Sequence, residues 1–252
     1  MRIDRTTGGS SIWLAESSLG LFRRLTVAGS FQHTPLFSPD GTRIAYESDI
    51  GRASEFHLTP ASGIGADELL LSLNELAWLT DWSPDGRLLA YQSCNPRTKW
   101  DIWVLPLIGD RKATPFRNSD ANETGGRFSP DGKWVAYASD ETGRDQVYVV
   151  PFPGPGGKWQ VSSEGGSQPR WSRYGRELFY LAGDRKLMSV PIAEGAAVGN
   201  SLPRPLFETR SRYTGTAYDV SPDSQRFLVN TVVEGSATPI TVVLNWSVES
   251  SR

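Results

Sequence analysis

The sequence predicts an all-β protein: a β-propeller of four-stranded antiparallel blades, of the six-bladed type, with about five blades and an N-terminal half-blade. Three observations predict it. A turn tetrapeptide recurs along the chain at a fixed period, β-prone runs stand at constant distances from each copy, and the composition supplies both turns and a core. Self-similarity at this period is the mark of a repeat architecture whose units stack to bury a common core.

The tetrapeptide is Ser38-Pro39-Asp40-Gly41, repeated as Ser83-Pro84-Asp85-Gly86 and Ser129-Pro130-Asp131-Gly132. It returns in altered form as Ser172-Arg173-Tyr174-Gly175 and Ser221-Pro222-Asp223-Ser224, with the serines 45, 46, 43 and 49 residues apart. Pro presets φ at the first central position, Asp tolerates the second, and Gly accepts a left-handed φ at the exit, which together describe a type I turn with a glycine bulge. Gly41, Gly86 and Gly132 are therefore expected at positive φ, and Ser224 is expected to mark the most distorted turn. Before each Ser stands Phe37, Trp82, Phe128, Trp171 or Val220, read as a core position of the first strand. Three residues past each turn come Ile44-Ala45-Tyr46, Leu89-Ala90-Tyr91, Val135-Ala136-Tyr137, Leu178-Phe179-Tyr180 and Phe227-Leu228-Val229, the second strand.

Third strands are expected at Phe56-His57-Leu58, Ile102-Trp103-Val104, Val147-Tyr148-Val149, Leu187-Met188-Ser189-Val190 and Ile240-Thr241-Val242-Val243. Fourth strands follow at Lys112-Ala113-Thr114, Trp159-Gln160-Val161 and Pro205-Leu206-Phe207. Leu69, Leu70, Leu73 and Leu76 have helical spacing, so residues 66–79 read locally as a helix, but the repeat phase puts Glu68 to Leu71 on a fourth strand. Ile12-Trp13-Leu14 and Arg24-Leu25-Thr26 match the third and fourth strands of a unit that lacks its first hairpin. Residues 1–10 are expected to be poorly ordered, residues 11–246 to form the propeller, and residues 247–252 to be a tail. An incomplete ring would expose sheet edges and favour self-association.

The 252 residues carry 26 Lys+Arg against 28 Asp+Glu, a net charge of −2 that argues against a nucleic-acid binder. With 25 Gly and 17 Pro the chain is turn-rich, and 9 Trp with 38% hydrophobic residues can fill a core. One Cys and two His make neither a disulfide nor an ordinary zinc site. No run of 18 apolar residues and no signal-peptide core is present, so membrane insertion is not expected, and the chain read alone is placed in the cytoplasm.

No catalytic constellation emerges. A Gly-x-Ser-x-Gly elbow is missing, and Gly154-Pro155-Gly156-Gly157-Lys158 lacks the spacing of a phosphate loop and reads as a turn. The run Asn118, Asp120, Asn122, Thr124 offers one carboxylate, too few for calcium. His57 between Phe56 and Leu58, and the recurrent Tyr46, Tyr91, Tyr137 and Tyr180, read as packing. No cofactor and no metal are expected. In a propeller the loops leading into the first strands form one mouth, and here they carry His33, Asn122, Glu123, Arg127, Arg170 and Tyr213. These polar residues differ between units, so the shared packing of a blade does not explain them. They are the candidate binding residues for a protein or peptide partner.

The Ser-Pro-Asp-Gly units with their Ile-Ala-Tyr runs resemble TolB-type propeller repeats. Thr80-Asp81-Trp82-Ser83-Pro84-Asp85-Gly86, Asp101-Ile102-Trp103-Val104-Leu105-Pro106, the segment from Val150-Pro151-Phe152 to Lys158-Trp159, and Thr238-Pro239-Ile240-Thr241-Val242-Val243-Leu244-Asn245-Trp246 are similar to the C-terminal propeller region of large bacterial serine/threonine protein kinases. The kinase Gly-rich loop, His-Arg-Asp and Asp-Phe-Gly are missing from this chain, so the resemblance implies the accessory part: a non-catalytic sensing or protein-binding propeller. Joined to a membrane kinase, it would lie outside the cytoplasmic membrane. The alternative is the propeller of a peptidase or other hydrolase whose catalytic domain is missing.

Overall fold

The computed structural model describes residues 2–4, 9–16, 21–26, 30–51, 53–192, 201–210 and 216–231. Tyr213 and the runs at Ile240-Thr241-Val242-Val243 and Val242 to Trp246 lie outside them. Among the described residues every regular element is a strand, and successive strands pair antiparallel with their sequence neighbours. The chain divides into two compact units, residues 1–126 and 127–252.

In the first unit, β1 (Arg2–Asp4) pairs with β2 (Gly9–Ser11), a two-stranded ladder in a stretch too polar to read as strand. Next, β3 (Trp13–Glu16) pairs with β4 (Leu21–Arg24), close to the half-blade expected there. A four-stranded sheet follows from β5 (Phe31–Phe37), β6 (Arg43–Ile50), β7 (Ala53–Pro60) and β8 (Glu68–Leu73). The leucines of 66–79 thus lie on a strand, as the repeat phase requires. A second such sheet is built by β9 (Ala77–Trp82), β10 (Leu88–Asn95), β11 (Lys99–Pro106) and β12 (Thr114–Arg117).

The boundary between the units falls within β13 (Glu123–Phe128), which opens a sheet continued by β14 (Trp134–Ser139), β15 (Gln146–Pro151) and β16 (Trp159–Gln160). The last four-stranded sheet comprises β17 (Ser167–Trp171), β18 (Glu177–Leu181), β19 (Lys186–Pro191) and β20 (Arg204–Glu208). A two-stranded sheet of β21 (Tyr218–Val220) and β22 (Phe227–Val229) follows.

The tetrapeptide works as a hydrogen-bonded clasp. Gly41 N–H donates to the Ser38 carbonyl at 2.8 Å, the Ser38 hydroxyl donates to Asp40 Oδ1 at 2.6 Å, and Arg43 N–H donates to Ser38 Oγ at 2.9 Å. Ser83 repeats the pattern with Asp85 and Leu88, and Ser129 with Asp131 and Trp134. The expected positive φ is found at Gly41 (70°), Gly86 (74°) and Gly132 (69°). Ser224 departs from expectation: it keeps the turn intact, donating to the Ser221 carbonyl at 2.8 Å, by taking the same left-handed φ of 58° without being glycine. The clasp is strong enough to hold a side-chain-bearing residue in a conformation that costs it free energy.

The second strands carry the core. Ile44, Ala45 and Tyr46, Leu89, Ala90 and Tyr91, Val135, Ala136 and Tyr137, and Leu178, Phe179 and Tyr180 are all buried. Apolar on both faces, they sit inside a stack of sheets. In the last four-stranded sheet the middle residue changes from Ala to Phe179, whose ring packs edge-on against Phe227 at 5.1 Å. The residue before each Ser varies more than expected: Trp82 and Phe128 are buried, whereas Phe37 is 57% exposed. Phe128 meets Phe152 edge-on at 5.0 Å, and the repeat places Ala61, too small to cover a ring, where Phe152 stands.

Candidate functional site

The first strands are not regular. In β5, β9 and β17 the ladder to the second strand slips near the strand's middle. Four residues before the turn serine, Thr34 in β5 (φ 43°), Gly125 in β13 (φ 66°) and Gln168 in β17 (φ 54°) occupy the same repeat position, all left-handed. A β-branched threonine there is strained, and such strain persists only where its surroundings enforce it. The amide of the bulge is met by a side chain from another strand. Gly125 N–H donates to Gln92 Oε1 at 2.9 Å and Ala217 N–H to Gln168 Oε1 at 2.8 Å.

In the preceding four-stranded sheet the residue matching Gln92 is Glu47, which is 0% exposed. Its Oε2 accepts the Thr34 hydroxyl at 2.9 Å, and among the described residues no N–H or hydroxyl donor reaches its Oε1. Burial pushes its pKa up to about 9; the Asp49 charge and a side-chain hydrogen bond to Asp49 work in the same direction, while the Thr34 hydroxyl and the Leu79 amide oppose it. His33, a sequence candidate, lies directly across the ladder from Glu47, with Nε2 3.4 Å from Asp49 Oδ2.

Asn122 is half-buried, and Glu123 beside it is buried. The Glu123 carboxylate turns onto its own loop, accepting the Ser119 hydroxyl and the Ser119 N–H, the latter at 3.2 Å to Oε2. Burial raises its pKa, which the Ser119 hydrogen bonds and the Arg117 charge partly offset. Glu123 therefore serves the loop's geometry.

In the second unit Arg170 is 8% exposed; its Nε lies 3.7 Å from Asp219 Oδ1 and its guanidinium 5.8 Å from the Tyr218 ring centre. Arg127, at the same repeat position one strand set earlier, has its carbonyl bound by Trp171 Nε1 at 3.1 Å. The Tyr218 hydroxyl donates to the Gln168 carbonyl at 2.8 Å, and burial raises the phenol's pKa against the pull of Arg170 and Arg127. Two candidates thus converge on one buried tyrosine that the sequence reading did not single out.

His57, read as packing, stacks on Tyr46 at 5.2 Å and also joins a polar cluster. Its Nδ1 is 2.8 Å from Asp67 Oδ2, which accepts the Tyr46 hydroxyl at 2.9 Å, and its Nε2 is 3.3 Å from Glu55. Glu47, Gln92 and Gln168 also escaped the sequence reading. For the first two a signal exists: the residue after each repeated Tyr is Glu47, Gln92, Ala138 and Leu181, as variable as the loops.

The family described as TolB beta propeller domain matches residues 65–202. An uncharacterized protein of Agrobacterium fabrum is 28% identical over 158 residues, covering 56% of this chain and 52% of that protein. Tricorn protease homolog 1 of Streptomyces coelicolor is 32% identical over 111 residues, 43% of this chain and 10% of that protein. The chain therefore spans about half of one relative and a small part of the other. Among solved structures, TolB from Acinetobacter baumannii superposes with a TM-score of 0.75 at 19% identity, over 89% of this chain and 54% of that one, a likeness of fold.

Proposed function

Because the chain belongs to the TolB β-propeller family, we propose that it is a non-catalytic module that binds a protein or peptide partner through the first strands and the loops leading into them. One observation carries the reading: one repeat position of the first strands changes its chemistry from sheet to sheet. Leu36 there packs against the core, whereas Asp81, Arg127, Arg170 and Asp219 are charged. A constant scaffold carrying variable polar residues is the pattern of a recognition surface.

The similarity to kinase-attached propellers supports a finer proposal, that the module is the accessory region of a bacterial serine/threonine kinase and works outside the cytoplasmic membrane. The similarity to the tricorn homolog supports a second reading, a propeller serving a peptidase. The neighbouring coding sequence separates them: a kinase domain favours the first, a peptidase domain the second.

Selection of a displayed peptide library on the folded chain tests the binding role. Enriched sequences should compete with one another for the chain, and replacing Arg127 and Arg170 together by Ala should weaken peptides bound at the second unit at temperatures where the variant is still folded, while loss of the buried Arg170 lowers Tm. Turnover of a peptide or nucleotide substrate, abolished by a substitution within the chain, would overturn the non-catalytic reading.

A further inference from the structure

We propose that the β5–β6 hairpin carries a receptor for a primary ammonium group, the lysine side chain or free N-terminus of a partner peptide, formed by Glu47, Asp49 and His33 with Phe31 as its apolar wall. The inference rests on the binding role above and names the chemistry of one of its sites.

Ladder register puts the four residues on one face, since Phe31 pairs with Asp49 and His33 with Glu47. Depth grades the site. Asp49 and His33 form a rim, with side chains 22% and 27% exposed, while Glu47 lies beneath it, fully buried. Among the described residues no N–H or hydroxyl donor reaches Glu47 Oε1, and its carboxyl shares a side-chain hydrogen bond with Asp49, a pairing of two acids that needs a proton or a cation. The groups that face Glu47 are the Thr34 hydroxyl and His33 from β5, Asp49 from β6 and the Leu79 amide from β9. Two carboxyl groups this close disfavour each other's ionisation, and a cation between them removes that conflict.

An ammonium matches the acceptors in number. Its three N–H donors answer Glu47 Oε1, an Asp49 oxygen and His33 Nε2. The Ser54 hydroxyl, 3.3 Å from Asp49 Oδ1, steadies the rim carboxylate. Phe31 is exposed and its ring lies parallel to His33 at 6.3 Å, a surface for the methylene stem behind the charge. The strained Thr34 backbone, tied by its hydroxyl to Glu47, is the kind of feature retained at ligand clamps.

The test follows the Thr34 and Leu79 amides by NMR in the full chain. The probes are n-butylammonium chloride, a doubly capped Gly-Lys-Gly tripeptide, and the same tripeptide acetylated on Nζ. Both cations should shift the two amides saturably, with a dissociation constant on the order of 1 mM, and the acetylated tripeptide should not. Glu47→Gln and Asp49→Asn should each weaken the cations about tenfold or more; Asp49→Asn, at the rim, keeps the test decisive if the buried change perturbs the fold. An equal response to the acetylated tripeptide, unchanged affinity in both variants, no saturable shift, or tighter binding of calcium or manganese at the same amides would each overturn the site. Library peptides that bind wild type and both variants equally would remove the ammonium receptor and leave the binding module standing.

Discussion

At residue scale, one side chain ties stability to pH. Glu47 has a pKa of about 9 in the fold against roughly 4.3 in an unfolded chain. Between those values the folded chain holds the extra proton, so Glu47 makes stability fall as pH rises, by at most about 1.4 kcal/mol per pH unit. Denaturant titrations between pH 5 and pH 8 should show that slope, and Glu47→Gln should flatten it. Asp40 acts in the opposite sense. The Ser38 hydroxyl and the Thr42 amide and hydroxyl hold Asp40 down at about 2, so its contribution is present at neutral pH and is lost as pH falls below the ordinary carboxylate range. Ser38→Ala should move the Asp40 titration, followed by NMR, back toward its ordinary value. The same turns predict a gain elsewhere. Ser224 holds a φ of 58° that glycine adopts freely, so Ser224→Gly should stabilise by roughly 0.5–1 kcal/mol, while Gly86→Ala, with nothing within 4 Å to obstruct it, should destabilise through backbone strain alone.

At the scale of elements, the repeat is kept in hydrogen bonding and varied in packing. Phe128 and Phe37 occupy the same position after the same kind of strand, yet only Phe128 has an aromatic partner. Phe128→Ala should therefore cost about 3 kcal/mol, as buried phenylalanines do, and Phe37→Ala well under 1 kcal/mol; chemical denaturation of the two variants measures the difference. Sequence periodicity located the strands well because the clasp fixes the phase of each hairpin. It was less accurate for the outermost strands: β4 begins at Leu21 and β12 at Thr114, each displaced by two or three residues from the apolar run expected there. An edge strand is held from one side only, so its pattern of apolar residues is weakly specified.

At the scale of the molecule, each unit is assembled from sheets of unequal size. Native-state hydrogen exchange should be slowest in the paired inner strands β6–β7 and β10–β11 of the first unit and β14–β15 of the second, and fast in β3–β4 and β21–β22. Equal protection of β3–β4 and β10–β11 would show that the small sheets unfold only with the rest.

What the sequence by itself determined is whatever local chemistry and period decide. The turn residues, the strand succession and the buried Ile-Ala-Tyr type runs follow from φ preferences and alternation, and they suffice to identify an all-β repeat. It also marked His33, Arg127 and Arg170 as polar residues without a packing reason. The tertiary structure alone decided what those residues meet. That Glu47 is buried across the ladder from His33 and that Arg170 lies against Tyr218 depend on strand registers that slip at first-strand bulges, and that Glu123 spends its carboxylate on Ser119 depends on the path of its loop. A slip of one residue turns a strand's side chains to the other face, and a single unaligned sequence contains no local signal for it.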